Sequence, residues 1–299
     1  MQLVPISPDS RERIQECVNK FGHTSDHNMD WFIDSVITSE GEPVFVQWPD
    51  GTGLLAHHYP DEWRIWSDPL CSESEMAPKI IEFAAKVFED KDIRNVWCDD
   101  VSDLIYPALR ENGLNLEPIY YSLFWPVLDL SKFSPALPGG HFKEMRNAKN
   151  KFYKEHKLEV ADAKEFSKEK LRKIIYDWKQ FLPQNKEDIY DLRYHNTIDH
   201  NFRGFVTSRV LIVDGIPVGI NAGYDVPNKP GRFAGIIGIH DYSVRDIGIV
   251  FYLEDLEWMK NSGYAEVDLQ GSEEDEGLEF KLRFGARVER KTDTFCIKK

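Results

Sequence analysis

Residues 134–140, Ser-Pro-Ala-Leu-Pro-Gly-Gly, put two prolines and two glycines within seven positions near the middle of a 299-residue chain. Proline removes an amide donor and fixes φ, and glycine inside a helix or strand gives up chain entropy, so no regular element crosses such a stretch. Whatever the chain builds, it builds in two parts. Two domains are expected, residues 1–133 and 141–299, joined by a linker at 134–140. With 41% hydrophobic and 13% aromatic residues there is apolar surface for a core in each.

Periodicity and turn chemistry give the order of elements. Ser7 or Asp9 caps a helix over residues 11–21, and a second helix is expected over 26–37. Strands at 43–48, 53–59 and 62–66 follow, the first two joined across Asp50-Gly51. Behind Ser72 or Ser74, Ile80, Ile81, Ala84, Val87 and Phe88 recur at helical spacing over 76–89. A strand at 96–98, a helix over 103–112 closed by Gly113, and a strand at 119–128 interrupted by Pro126 complete this part. Beyond the linker come a basic helix within 141–157, a strand at 158–160 and helices over 167–181 and 189–202. A hairpin of 208–213 and 216–224 across Asp214-Gly215 and a strand at 233–240 come next. A helix over 248–262, a strand at 265–269, a helix over 277–284 and a strand at 287–297 end the pattern. The second part repeats the order of the first: helices, meander, helix, strand, helix, strand. The repetition is one of pattern, with no residue-level repeat beneath it.

Charge adds a second constraint. The formal net charge is −14, which opposes non-specific contact with nucleic acid or anionic lipid, yet residues 141–157 carry five lysines and one arginine against two glutamates. At helical spacing Lys143, Arg146, Asn147, Asn150, Lys151 and Lys154 form a polar stripe, while Phe142, Met145, Ala148 and Phe152 form an apolar one. Such a helix lies on a core and shows cations outward, either as an ordinary solvated face or toward an anionic partner. Cys17, Cys71, Cys98 and Cys296 lie far apart with no CxxC, so neither a zinc site nor a disulfide framework is expected, and a cytoplasmic setting is. His195, His200 and His240 suggest a metal at first sight, but the first two stand at i,i+5, off a common helix face, no carboxylate spacing completes a ligand set, and no metal is expected. The first residues carry no basic segment followed by an apolar run, and nothing reaches the roughly 18 apolar residues of a membrane span. No export and no membrane span are expected.

The order of elements, an antiparallel meander leading into helix, strand, helix, strand, is similar to the GNAT acyltransferase fold, and two copies in tandem resemble its FemABX-like branch. GGHFKEMRNAKNKFYKEH after the linker, VLIVDGIPVGINAGY in the hairpin and VDLQGSEEDEGLEFKLRFGA near the end resemble the family related to the C-terminal domain of phosphatidylglycerol lysyltransferase. The first part matches by element order alone. The resemblance implies an α/β (α+β) fold of two tandem GNAT-like domains, each a mixed, mostly antiparallel sheet flanked by helices, the first degenerate. It implies acyl or aminoacyl transfer from an anionic carrier, acyl-CoA or aminoacyl-tRNA, to an amine acceptor, with no tightly bound cofactor. The alternative is a catalytically inactive binding module of the same fold, using the basic helix for an anionic partner.

What the resemblance implies for single residues follows. Lys281 would place a cation at the donor carbonyl and Tyr242 would contact the leaving group. Lys143, Arg146 and Asn150 would clamp the donor, with tRNA as one such partner. Arg245 and Gly248 match the phosphate loop of GNAT enzymes at a helix N-terminus, whereas Val250 departs from it and Asp246 adds a negative charge. Gly271, Ser272 and Arg283 belong to the final matching stretch. Asp268 and Glu273 are candidate bases for an ammonium acceptor. Phe280 and Phe284 read as core, Tyr224 as cover for a sheet edge, and Trp31, Trp48, Trp63, Trp66 and Trp97 as core rather than an aromatic cage.

Overall fold

The computed structural model describes residues 1–180 and 191–299. Before the linker run β1 (Gln2–Pro5), α1 (Pro8–Phe21), α2 (Met29–Asp34), β2 (Glu42–Gln47), β3 (Gly53–His58), β4 (Glu62–Ile65), α3 (Glu73–Val87), β5 (Asn95–Ser102), α4 (Ile105–Glu111) and β6 (Tyr121–Asp129). After it run α5 (Lys143–Glu155), β7 (Leu158–Asp162), α6 (Lys168–Gln180), α7 (Leu192–Asp199), β8 (Thr207–Val213), β9 (Ile216–Asp225), β10 (Arg232–His240), α8 (Ile247–Asn261), β11 (Glu266–Asp268), α9 (Glu276–Arg283) and β12 (Arg287–Lys298). The sequence signals place these elements in order and miss only β1, whose four residues are too few for a period to register. The expected ends at residues 181 and 189 lie outside the described residues.

Local chemistry accounts for the helix starts. Ser7 and Ser10 form a reciprocal capping box with Pro8 in the first turn of α1, and Ser72 with Glu75 does the same for α3. Both helices then bury one stripe, Ile14, Cys17 and Val18 in α1 and Met76, Ile80, Phe83 and Val87 in α3.

The strands form one twelve-stranded sheet in the order β1-β2-β3-β4-β5-β12-β6-β11-β10-β9-β8-β7. All pairs are antiparallel except β4 with β5 and β10 with β11. The sheet is continuous across the linker: β6 pairs with β11, and β12, the last strand, lies between β5 and β6. Phe295 and Ile297 of β12 accordingly sit in the core of the first half with Val96, Cys98 and Phe83. Pro126, an obstacle in an interior strand, is opposite Val288, where the β12 register shifts, and its carbonyl accepts from Leu269 N at 3.0 Å. Trp31 of α2 packs with Ile174, Ile198 and Tyr224, which belong to the second half. All four cysteines are buried and unbridged. Among the described residues no helix is long and apolar enough to cross a membrane.

Candidate active site

The site grows from a parting of two strands. β10 and β11 pair in parallel over Arg232, Phe233 and Ala234 with Glu266, Val267 and Asp268, and no ladder joins them beyond that point. A bulge between Gly235 and Ile237 re-aims β10 against β9. The chain after β11 turns away at Gln270, where φ is 63°, and Ser272 pairs with Phe124 instead. The side chain of Gln270 spans the parting, its Nε2 donating to Ile236 O.

Between the freed stretch of β10 and α8 lies a cavity of about 540 Å³, lined by Gly235, Gly238, Leu256, Met259 and Phe280 among others. Glycine makes this room: a Cβ at Gly235 would meet Met259 only at 3.5 Å, and one at Gly238 would meet Asn221 at 3.7 Å, so both positions leave space rather than relieve crowding. Three polar atoms on its wall are buried without a hydrogen-bond partner among the described residues, Asn221 Nδ2, His240 Nδ1 and the Tyr252 hydroxyl. Each forfeits about 1–3 kcal/mol unless a bound molecule or water satisfies it. Burial holds the His240 imidazole down at about 4, against the smaller opposing pull of Asp241, so at neutral pH the ring is uncharged and one nitrogen can accept. Asp255, also on the wall, is pushed up to about 6 by burial despite its 2.8 Å ion pair with Arg209.

Lys281 of α9 enters this cavity. Its Nζ donates to Ser272 Oγ at 2.7 Å and to Gln270 O at 3.1 Å, so one of three ammonium hydrogens is left for a ligand. Burial lowers it to about 8, with Asp268 and Asp275 opposing. A lysine so poised is a cation at neutral pH and a stronger acid than an exposed one. At the mouth, Tyr242 is 50% exposed and packs tilted against His240, the ring centroids 4.5 Å apart. The N-terminus of α8 also borders the cavity through Gly248 and Ile249. Gly248 lies against His240, whose Nε2 would be 3.1 Å from an added Cβ. No side chain caps α8, and while the Ile247 amide donates to Val244 O at 3.3 Å, the amides of Gly248 and Ile249 are left for an anion.

Lys281, Tyr242 and Gly248 therefore share one cavity, and Ser272 joins them through the lysine. Lys143, Arg146, Asn150, Arg245 and Arg283 do not line it. The helix α5 packs against α8 and buries Met145 and Phe152, as its apolar stripe requires, while Lys143, Asn150, Lys151 and Lys154 are exposed. Arg146 instead donates to the carbonyls of Leu137 and Gly139, and Lys149 reaches Pro135 O at 3.3 Å, tying helix to linker. Arg245 is mostly in solvent, 3.7 Å from Asp246. Gly271 is a packing position, since a Cβ there would come within 2.8 Å of Leu123. Phe284 is buried and Phe280 partly so, the two rings 5.2 Å apart. His195 and His200 each face their own carboxylate, Asp191 at 3.6 Å and Asp34 at 2.6 Å. Trp48 and Trp63 are core, but Trp31 and Trp66 also border a second cavity, which the core reading did not foresee. Asn221, Tyr252, Asp255 and Gln270 were not singled out from sequence, and His240 was weighed only as a metal ligand. The glycines at 235 and 238 inside a strand were the available signal, because an interior strand glycine marks a bulge or a close approach.

No family model matches the chain, and no curated protein sequence does. Solved structures do match. L-PGS from Bacillus licheniformis superposes with a TM-score of 0.64 at 14% identity, over 96% of this chain and 91% of that one. A tandem GNAT protein from the clavulanic acid biosynthesis pathway gives 0.60 at 11% identity, over 99% and 98%. FemX gives 0.60 at 11% identity, over 98% and 97%. The chain has the tandem GNAT fold in its FemABX-like form.

Proposed function

We propose that the protein transfers an acyl or aminoacyl group from an anionic carrier, acyl-CoA or aminoacyl-tRNA, to an amine. One observation carries this reading: the β10–β11 parting opens onto a cavity that brings together a helix N-terminus, a depressed lysine and three unsatisfied polar groups. The donor chain would lie along the freed edge of β10, its phosphate at the first turn of α8 and its carbonyl near Lys281. As the amine attacks, the ammonium of Lys281 stabilises the developing oxyanion and then protonates the departing thiolate or ribose oxygen. Tyr242 borders the path of the leaving group. The names of the matching structures agree with transfer, and buried, unbridged thiols suit a reducing cytoplasm.

The donor is settled by thermal-shift titration of the purified chain with acetyl-CoA, longer acyl-CoAs, and charged and uncharged tRNA. A ligand that binds only the native state stabilises it by RT ln(1 + [L]/Kd), so Tm keeps rising with the logarithm of its concentration above Kd. Concentration-dependent stabilisation by one donor class, followed by mass-spectrometric detection of acylated amine, is the expected result. No shift with any of them would end the transfer reading.

A further inference from the structure

Ile236, on the opposite side of β10 from Gly235 and Ile237, borders a second cavity of about 440 Å³ that shares Gln270 with the first. Its walls come from distant segments: the loop before α2, the end of β4, β5, the start of β6 and α7. Among the described residues, Asp26, Asp100 and Glu273 line it with Arg193 as the lining cation, and Arg290 stands behind Asp26 and Trp125. Trp31, Trp66, Trp125, Tyr120, Tyr121 and Tyr194 supply aromatic faces. The hydroxyl of Ser25, a fully buried residue, also lines it and has no partner among the described residues.

We infer that this cavity is the acceptor site and takes a small organic ammonium ion with an apolar or aromatic body, held by Asp26 and Asp100 within the aromatic wall. The inference rests on the transfer reading above and names the substrate class. An excess of carboxylates repels anions and attracts a cation, and aromatic faces favour an ammonium that has left water. The Ser25 oxygen is an acceptor for one ammonium hydrogen. The site is also held ready. Asp26 is anchored by Arg290 at 3.1 Å, and that guanidinium stacks on Trp125 at 3.7 Å. Asp100 sits at φ 52°, unusual for a residue with a side chain, and its amide donates to Thr294 Oγ1 at 3.0 Å. Burial, together with Asp26 and Asp99, pushes the Asp100 carboxyl up to about 7, which matches it to the removal of a proton near neutral pH.

The ammonium gives one proton to the Asp100 carboxylate, and the freed lone pair attacks the donor carbonyl beyond Gln270. A C–N bond forms and the C–S or C–O bond to the carrier breaks. The second nitrogen proton leaves as the amide forms and replaces the one that Lys281 gives to the carrier.

The test is calorimetric titration of the whole chain, without donor, using 2-phenylethylamine and its uncharged counterpart 2-phenylethanol. The amine should bind at least tenfold more tightly than the alcohol. Asp100→Asn should remove most of that preference, and Tyr120→Ala, at a residue 70% exposed and outside the core, should weaken the amine severalfold without loss of fold. Equal affinity for amine and alcohol, or an amine affinity unchanged in both variants, would overturn the inference. So would tighter binding of phenylalanine than of the amine, which would mark a zwitterion held by Arg193. Because no donor is present, failure here leaves the donor titration to decide the transfer reading separately.

Discussion

In the proposed transfer the chemistry turns on Lys281, and the environment of that residue sets a sign that can be measured. Its folded pKa, about 8, lies below the ordinary 10.5 because burial opposes the charge. Transfer that needs the ammonium therefore falls as pH rises through about 8. Lys281→Ala should lower turnover about 10²–10³-fold, the usual loss of an oxyanion donor, with little change in Tm. Lys281→Arg should restore part of the rate and abolish the basic limb in kcat against pH. Asp100 gives an independent prediction about stability. Its folded pKa of about 7 lies above the ordinary 3.8, so its contribution is intact below about pH 4 and is lost as pH rises through 7. Asp100→Asn keeps the shape and tolerates the left-handed backbone, and should gain about 1–3 kcal/mol at pH 8 and nothing at pH 4 by denaturant titration. Lys281 could be singled out because it and its neighbours Phe280, Arg283, Phe284 and Gly285 resemble a family stretch, and the structure places it on the cavity wall. Asn221 and Tyr252 could not be, because what marks them is the absence of a partner, nor could Asp100, which is marked by burial beside Asp26 and Asp99; these neighbourhoods are assembled from far along the chain.

At the scale of elements, α5 shows how far a charge pattern reaches. The amphipathic spacing correctly gave its buried and exposed faces, since burial of Met145 and Phe152 is decided by helical period alone. What the cations do depends on neighbours the pattern does not contain. Arg146 and Lys149 bond linker carbonyls, so Arg146→Ala should loosen the joint and cost about 1–3 kcal/mol. Lys143 and Lys154 are exposed and lie off the cavity wall. Their reversal, Lys143→Glu with Lys154→Glu, should leave acetyl-CoA affinity unchanged. If tRNA is the donor, the same pair should weaken its binding at least tenfold in 50 mM salt and flatten the salt dependence, as read by filter binding. The β10–β11 parting lies at the other extreme: each strand was predicted, but their divergence is a property of the pair.

For the whole molecule, element order and the two tight hairpins, β2 with β3 and β8 with β9, were readable, and the longer-range strand pairing was not. Hydrophobic runs say that a segment is a strand without saying which strand lies beside it. Residues 134–140 mark a break in regular structure, yet hydrogen bonding passes across it through β6 with β11 and through β12 with β5 and β6. The two halves should therefore melt together, with a single calorimetric transition whose van't Hoff and calorimetric enthalpies agree. Residues 141–299 expressed alone would leave β12 without either partner and β11 without β6, and should aggregate. Two separated transitions, or a soluble folded second half, would count against this coupling.

The placement of β12 also bears on how the molecule is made. A ribosome releases this strand after every segment it pairs with, so β5 and β6 emerge side by side with a gap that only later synthesis can fill. Newly made first halves must wait, exposing two open strand edges to chaperones or to one another, and growth temperature rather than Tm would then govern yield.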